Sequence, residues 1–290
     1  MKPAPFDYVA ADSLDGALEE LARGAGDALV LAGGQTLMPL LALRMATPSV
    51  LVDINRIPEL AGVRRLDGST RIGAMTRQAQ IRVDPVVARH VGPLAMATGF
   101  VGHHQTRNRG TLGGSVSLAD PAAEYPATSL ALGAQIEVRS MAGGVREIDA
   151  DDFFLGPYTT ALEPGEMVTA LRYPDWPEGT VFVVDEVAPR PGDFAFVGLV
   201  FILAVKGGIV SRSGITWFSM GGKPMRSMQA EATIWGEAVD GVDWAAVAAL
   251  AVSETDPIDD IHATAHYRRT VGKHLFQRVV ATALAKRGAQ

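Results

Sequence analysis

The chain has no cysteine among its 290 residues. Disulfides, thiolate zinc sites, cysteine nucleophiles and any iron–sulfur cluster held by this chain alone are thereby excluded. Long apolar runs are also missing. The longest, Phe194 to Val205, has about twelve residues, against the ~20 that span a bilayer. Basic charge is scarce, with 26 Lys and Arg against 32 Asp and Glu and a formal net charge of -6, so nucleic acid is not an expected partner. The opening MKPAPFDYVAADS lacks the apolar centre of a signal peptide, and a cytoplasmic location is the expectation.

What is present describes an ordinary globular enzyme, 48% apolar and 20% charged. A chain of this length buries roughly three quarters of its unfolded surface, usually as two cores. Ser13 is placed to cap a helix whose Leu14, Leu18 and Leu21 share a face. A strand over Ala28–Leu31, a helix from Leu37 to Met45 and a strand over Val50–Ile54 follow, which predicts a βαβ unit with a small parallel sheet. Pro39 falls in the first turn of that helix, where its missing donor costs little. Short strands (Thr70–Ala74, Gln135–Arg139, Met167–Tyr173) then alternate with helices near Thr76–Arg82 and Pro93–Thr98. The stretch Tyr173 to Gly179 holds two prolines and a glycine and marks a domain boundary. Beyond it, strands Val181–Val187, Phe194–Val205 and Ile209–Met220 surround a tight turn at Lys206-Gly207-Gly208. Helices over Ser227–Trp235, Trp244–Val252 and His266–Arg287 complete the chain. Two domains are predicted. Residues 1–176 form the first, with a small parallel βαβ subdomain over 1–58 and a mixed α/β subdomain over 59–176. Residues 177–290 form the second, an α+β domain with a three-stranded antiparallel sheet.

Two segments carry most of the chemical information. Leu31-Ala32-Gly33-Gly34-Gln35-Thr36-Leu37-Met38 is a strand-to-helix turn, and Gly110-Thr111-Leu112-Gly113-Gly114-Ser115 lies ahead of Asp120 and Glu124. Paired glycines let backbone N–H groups approach an anion, and a helix start adds partial positive charge. A pyrophosphate can be held this way without a basic patch. Each segment can equally be a plain turn, since neither matches the G-x-G-x-x-G or Walker patterns.

The strings AGGQTLMPLLALRMATPSVLVDI (32–54) and VGHHQTRNRGTLGGSVSLADPAAEYPA (101–127) closely resemble the FAD-binding middle subunit of molybdenum hydroxylases, relatives of carbon monoxide and xanthine dehydrogenases and of bacterial N-heterocycle dehydrogenases. The likeness continues through EPGEMVTALRYP (163–174), RPGDFAFVG (190–198) and DIHATAHYRRTVGKHL (260–275). It implies an α+β fold: a two-part FAD-binding domain of the vanillyl-alcohol-oxidase type, followed by a smaller α+β domain. It implies that Leu31 to Met38 wrap the FAD pyrophosphate and ribityl chain, and that Gly110, Thr111, Leu112, Gly113, Gly114 and Ser115 form a second set of backbone contacts. Asp120 is counted with them, and Glu124 is expected to accept from a cofactor hydroxyl. Val101 and Val168 are expected to pack on the cofactor, although unaided they read as core residues. Phe194 is expected to lie over the flavin ring, the alternative being a sheet-core phenylalanine.

Two positions depart from the family. Glu186 stands where many relatives have a lysine near the flavin pyrimidine edge, and Leu118 where they often have histidine. No metal site is expected, because His262 and His266 lack a third ligand, and His103 and His104 read as loop packing or caps. The resemblance implies a small partner with two [2Fe–2S] clusters, a large partner with the molybdopterin cofactor, a dimer of heterotrimers and an external electron acceptor. A stand-alone flavoprotein oxidase or reductase, and a non-catalytic FAD-stabilised scaffold, are the alternatives.

Overall fold

A computed structural model describes residues 2–24 and 26–288. It opens with strand β1 (Asp7–Ala10), helix α1 (Leu14–Arg23), strand β2 (Ala28–Leu31), helix α2 (Leu37–Ala42) and strand β3 (Val50–Asp53). Ser13 Oγ accepts from the Gly16 N–H at 3.1 Å, and Leu14, Ala17, Leu18 and Leu21 form the buried face of α1. The three strands make a parallel sheet in the order β1–β3–β2. β1 carries no sequence signal, because its four residues are exposed or half-buried without alternation. α2 stops at Ala42 rather than Met45: the Leu43 N–H bonds back to Pro39 O, and Arg44 turns left-handed (φ 57°).

A second layer begins with β4 (Val63–Leu66) and β5 (Ser69–Gly73). Six short helices follow, α3 (Gln78–Val83), α4 (Pro85–His90), α5 (Gly92–Ala97), α6 (His104–Arg109), α7 (Leu112–Leu118) and α8 (Glu124–Leu132). Then come β6 (Gln135–Ser140), β7 (Gly144–Asp149), α9 (Ala150–Phe153), β8 (Phe154–Gly156), β9 (Thr159–Thr160) and β10 (Met167–Pro174). Five of these strands form an antiparallel sheet, β4–β5–β10–β6–β7, with β10 paired on both sides.

The C-terminal region is an antiparallel sheet, β11 (Val181–Val187), β12 (Val197–Lys206), β13 (Ile209–Phe218) and β14 (Met225–Arg226), followed by α10 (Met228–Ile234), α11 (Trp244–Ser253) and α12 (Ala265–Gly288). It has four strands, not three, because the two residues of β14 pair with Thr216 and Trp217; so short a strand has no readable period. The turn at Gly207-Gly208 is as tight as expected: Lys206 pairs with Ile209, and both glycines have positive φ. β12 is buried on both faces. Val200 and Ile202 join a core with Tyr125, Leu130 and Val138. Leu199, Phe201 and Leu203 join another with Phe276 and Val279 of α12. That double burial explains the continuous apolar run in the sequence.

Candidate functional site

The turn between β2 and α2 has an unequal hydrogen-bond account. Its carbonyls are engaged: Leu31 O accepts from Ile54 N (3.2 Å), Ala32 O from Asn55 Nδ2 (2.8 Å), Gly33 O from Gln35 Nε2 (3.1 Å) and Gly34 O from Met38 N (3.1 Å). Its donors are not. The N–H groups of Ala32, Gly33, Gly34, Gln35, Thr36 and Leu37 have no acceptor among the described residues. Backbone donors are seldom left unpaired where the chain is buried, as it is at Gly33. Six consecutive donors without an acceptor, beside carbonyls that are mostly occupied, are a backbone pattern that can receive an anion.

The second glycine segment meets the first but differs from it. It is the start of α7 rather than a loop: Thr111 is the N-cap and its Oγ1 accepts from Gly114 N at 3.1 Å. Leu112 N donates to Thr76 O, Gly113 N to Ala74 O and Ser115 N to Thr111 O. The expected second set of backbone donors is therefore corrected. Leu112, Gly113, Gly114 and Ser115 have spent theirs within the chain, Gly110 N donates to Thr106 O, and only the Thr111 N–H has no acceptor among the described residues. What this segment offers is an exposed Gly114 surface and the half-buried Ser115.

The two segments touch. A Cβ at Gly33 would lie 2.3 Å from Arg109 O, and one at Gly114 would lie 3.8 Å from Ala32 Cβ. A network that the sequence did not reveal ties them together. Arg77 donates to Arg109 O and to Asn55 Oδ1 (2.6 Å), and Asn55 in turn holds Ala32 O. Hydrogen bonds from Tyr8 (2.5 Å) and Asn55 (2.6 Å) reach Asp53. Partial burial pushes the Asp53 carboxyl up, but these bonds outweigh it and hold the group low. No local motif marks Asn55 or Arg77 as the link, since the bonds that tie the two segments together join residues 22 or more apart in sequence.

Beyond α7 the chain is strained. Ala119 (φ 50°), Tyr158 (φ 53°) and Ser219 (φ 60°) are all left-handed without being glycine. They converge on one segment: Tyr158 N donates to Ala119 O, and Ser219 N to Pro121 O. Such strain persists only where surrounding structure imposes it, and it collects at functional sites. Asp120 Oδ1 caps Ala122 N, and burial raises its carboxyl. Glu124 is 8% exposed, not a solvated surface residue. Burial, and secondarily the charges of Glu186 and Asp120, push it up to about 8. Glu186, on β11, is pushed to about 7 by burial and by Asp185. Near neutrality Glu124 therefore stays largely protonated and Glu186 partly so, and the wall that follows the two turns carries less negative charge than its sequence suggests.

The remaining expected residues separate. Val101 is half-buried, and its carbonyl accepts from Arg107 Nη1 at 2.9 Å. Val168 has its side chain in the core at 4% exposure and lies opposite Val138 on β6. Phe194 is 66% exposed and is no core residue. His103 and His104 are both exposed; a Cβ at Gly192 would meet the His103 ring, and His104 Nδ1 is 3.2 Å from Asn108 Nδ2. No described helix is long and apolar enough to cross a membrane.

Comparison with known proteins agrees along the whole chain. Residues 4–176 match the family described as the FAD binding domain in molybdopterin dehydrogenase, and residues 184–283 match the CO dehydrogenase flavoprotein C-terminal domain. The chain is 39% identical to 6-hydroxypseudooxynicotine dehydrogenase complex subunit alpha of Paenarthrobacter nicotinovorans, over 98% of this chain and 96% of that one. Among solved structures, carbon monoxide dehydrogenase from Hydrogenophaga pseudoflava superposes with a TM-score of 0.94 at 34% identity, covering 98% of this chain and 99% of its counterpart. Quinoline 2-oxidoreductase from Pseudomonas putida 86 gives 0.92 at 36%, covering 99% of each.

Proposed function

The chain belongs to the FAD-binding medium subunits of molybdenum hydroxylases, which are oxidoreductase components, and on that premise we propose where it holds its flavin and what it does with it. The pyrophosphate is held by the N–H groups of Ala32 to Leu37, with Leu31 and Met38 flanking. Gly114, the Thr111 N–H and the Ser115 hydroxyl form the facing wall, while Gly110, Leu112 and Gly113 support it from behind. Asp120 and Glu124 face cofactor hydroxyls. A protonated Glu124 can donate as well as accept there, which suits a buried carboxyl better than a charge does. Val101 borders the ring, Val168 supports it only through the core, and Phe194 covers it. The chain divides after residue 176, so that the ring end lies where the two domains meet.

The observation carrying this reading is the run of six free backbone donors beside a Gly-Gly turn that leaves no room for a side chain. When bound, FAD supplies a centre that takes up electrons and releases them to a second carrier. The chain's own work is to bind, orient and shield it. Without cysteine it cannot hold iron–sulfur clusters itself, so electrons come from [2Fe–2S] clusters on a small partner, fed by a molybdopterin-bearing large partner, and leave to an external acceptor. The assembly proposed is a dimer of heterotrimers. Native purification tests this: the expected product is a yellow complex containing a cysteine-rich chain and a larger molybdenum-containing chain. A monomer that oxidises a substrate by itself would favour a stand-alone flavoenzyme instead.

A further inference from the structure

Arg268, on α12, is 6% exposed. Its guanidinium gathers three segments. Nη1 donates to Phe196 O (2.5 Å) and Ser219 O (3.0 Å), and Nη2 to Asp260 Oδ2 (2.6 Å). Burying a guanidinium is costly unless its donors are used; here Nη1 and Nη2 are spent on two loop carbonyls and a carboxylate, while Nε is buried without a partner among the described residues. Asp260 is itself held in place, its Oδ1 accepting from His262 N (2.8 Å) and Ala263 N (2.9 Å).

Two of those partners lead directly to the flavin site. Phe196 lies two residues beyond Phe194, with its ring between His262 (centroids 6.5 Å apart) and Tyr267 (6.1 Å). On the other side of Phe194, Gly192 sits against His103, where a Cβ would come within 2.6 Å of the imidazole ring. The exposed Phe194 ring is therefore carried on a short span fixed at both ends. Ser219, the second carbonyl partner, holds Pro121 O through its own N–H at 2.8 Å. Pro121 belongs to the Asp120–Glu124 wall. One side chain thus fastens both the cover and the wall.

We propose that Arg268 is a positioning residue that sets the gap between Phe194 and the Asp120–Glu124 segment, and so controls what reaches the flavin ring. This rests on the cofactor reading above. Two variants interrupt the clamp differently. Arg268→Lys keeps the charge but cannot reach three acceptors with one fork. Asp260→Asn weakens the exposed arm alone and leaves Arg268 buried.

The test is acrylamide quenching of bound-flavin fluorescence, with visible circular dichroism of the flavin band, on the FAD-loaded full chain. Both variants should raise the quenching constant, Arg268→Lys by about threefold, and alter the flavin dichroism. Phe194→Ala should raise quenching similarly, and Phe194→Ala/Asp260→Asn should go no further, because the two changes act on one element. Flavin-loaded variants with unaltered quenching and dichroism would overturn the inference, even if their Tm falls. Full additivity in the double variant would overturn it too. A parent chain that binds no flavin would instead overturn the cofactor reading and this inference together.

Discussion

The Ala32–Leu37 turn and the Thr111–Ser115 segment are spelled alike, each with a Gly-Gly pair at the start of a short helix, and they lie against one another. Their hydrogen bonds differ completely. Among the described residues the first turn has most of its carbonyls bonded and six donors without an acceptor; from Thr111 to Ser115 the second has one such donor, Thr111 N–H, because Thr76, Ala74 and Thr111 itself take the rest. A glycine pair permits close approach but does not decide what approaches. At the first turn the free donors invite an anion. At the second, the glycines let the backbone close on β5 and α3, leaving a smooth face opposite the cradle.

The largest test of this difference is Gly33→Val against Gly114→Ala. From the sequence, the first variant is expected to lose flavin while staying folded. The structure revises this, because the new Cβ would meet Arg109 O at 2.3 Å and Gly110 Cα at 2.9 Å. Gly33→Val should lose all flavin absorbance and also about 1–3 kcal/mol of stability by thermal or urea unfolding. Gly114→Ala disturbs mainly the Thr111 hydroxyl at 2.9 Å. It should stay folded within about 1 kcal/mol and weaken FAD roughly tenfold by titration.

Glu124 tests whether the wall beyond the second turn is dry. Burial raises its carboxyl from 4.5 to about 8. Between those values the folded chain keeps a proton that the unfolded chain releases, so stability falls as pH rises, by at most about 1.4 kcal/mol per pH unit. Glu124→Gln should flatten the flavin-free stability profile between about pH 5 and pH 8, reducing the difference by about 1–3 kcal/mol in urea unfolding. An unchanged profile would mean that Glu124 is solvated.

A smaller effect is expected at Asn55, which keeps Ala32 O occupied. Asn55→Ala should cost about 1–2 kcal/mol in urea unfolding and weaken FAD severalfold, with no change in the second segment. The smallest concerns Glu186→Lys. At an effective dielectric near 20, like charges ~4 Å apart repel by about 4 kcal/mol; partial exposure reduces this to about 1 kcal/mol, a few tens of millivolts at ~23 kcal/mol per volt. A redox titration of the assembled complex should show a higher potential in the variant. Because Glu186 itself titrates near about 7, the difference should widen as pH rises through that value, when a charge change of one becomes a change of two.

How much of this was legible follows from where each signal resides. The first turn was readable because strand, glycine pair and helix are adjacent. β12 was readable because burial on both faces leaves an unbroken apolar run. α8 was not, since all nine of its residues are buried and no stripe marks a face. The fate of the second segment's donors depends on Thr76 and Ala74, some 36 and 39 residues upstream of Leu112 and Gly113, so the glycines alone could not disclose it. The same distance hides Asn55 and Arg77. Val168 reads as core from its residues and its side chain is buried, whereas Glu124 is not the solvated glutamate and Phe194 not the sheet-core phenylalanine that the residues taken singly also allow.

Amide hydrogen exchange with and without FAD tests the central claim most directly. The account predicts fast exchange at Ala32 to Leu37 in the flavin-free chain and strong protection once FAD is bound, with Leu112 to Ser115 protected in both states. Bound flavin that leaves 32–37 unprotected, or that protects 112–115 instead, would contradict it.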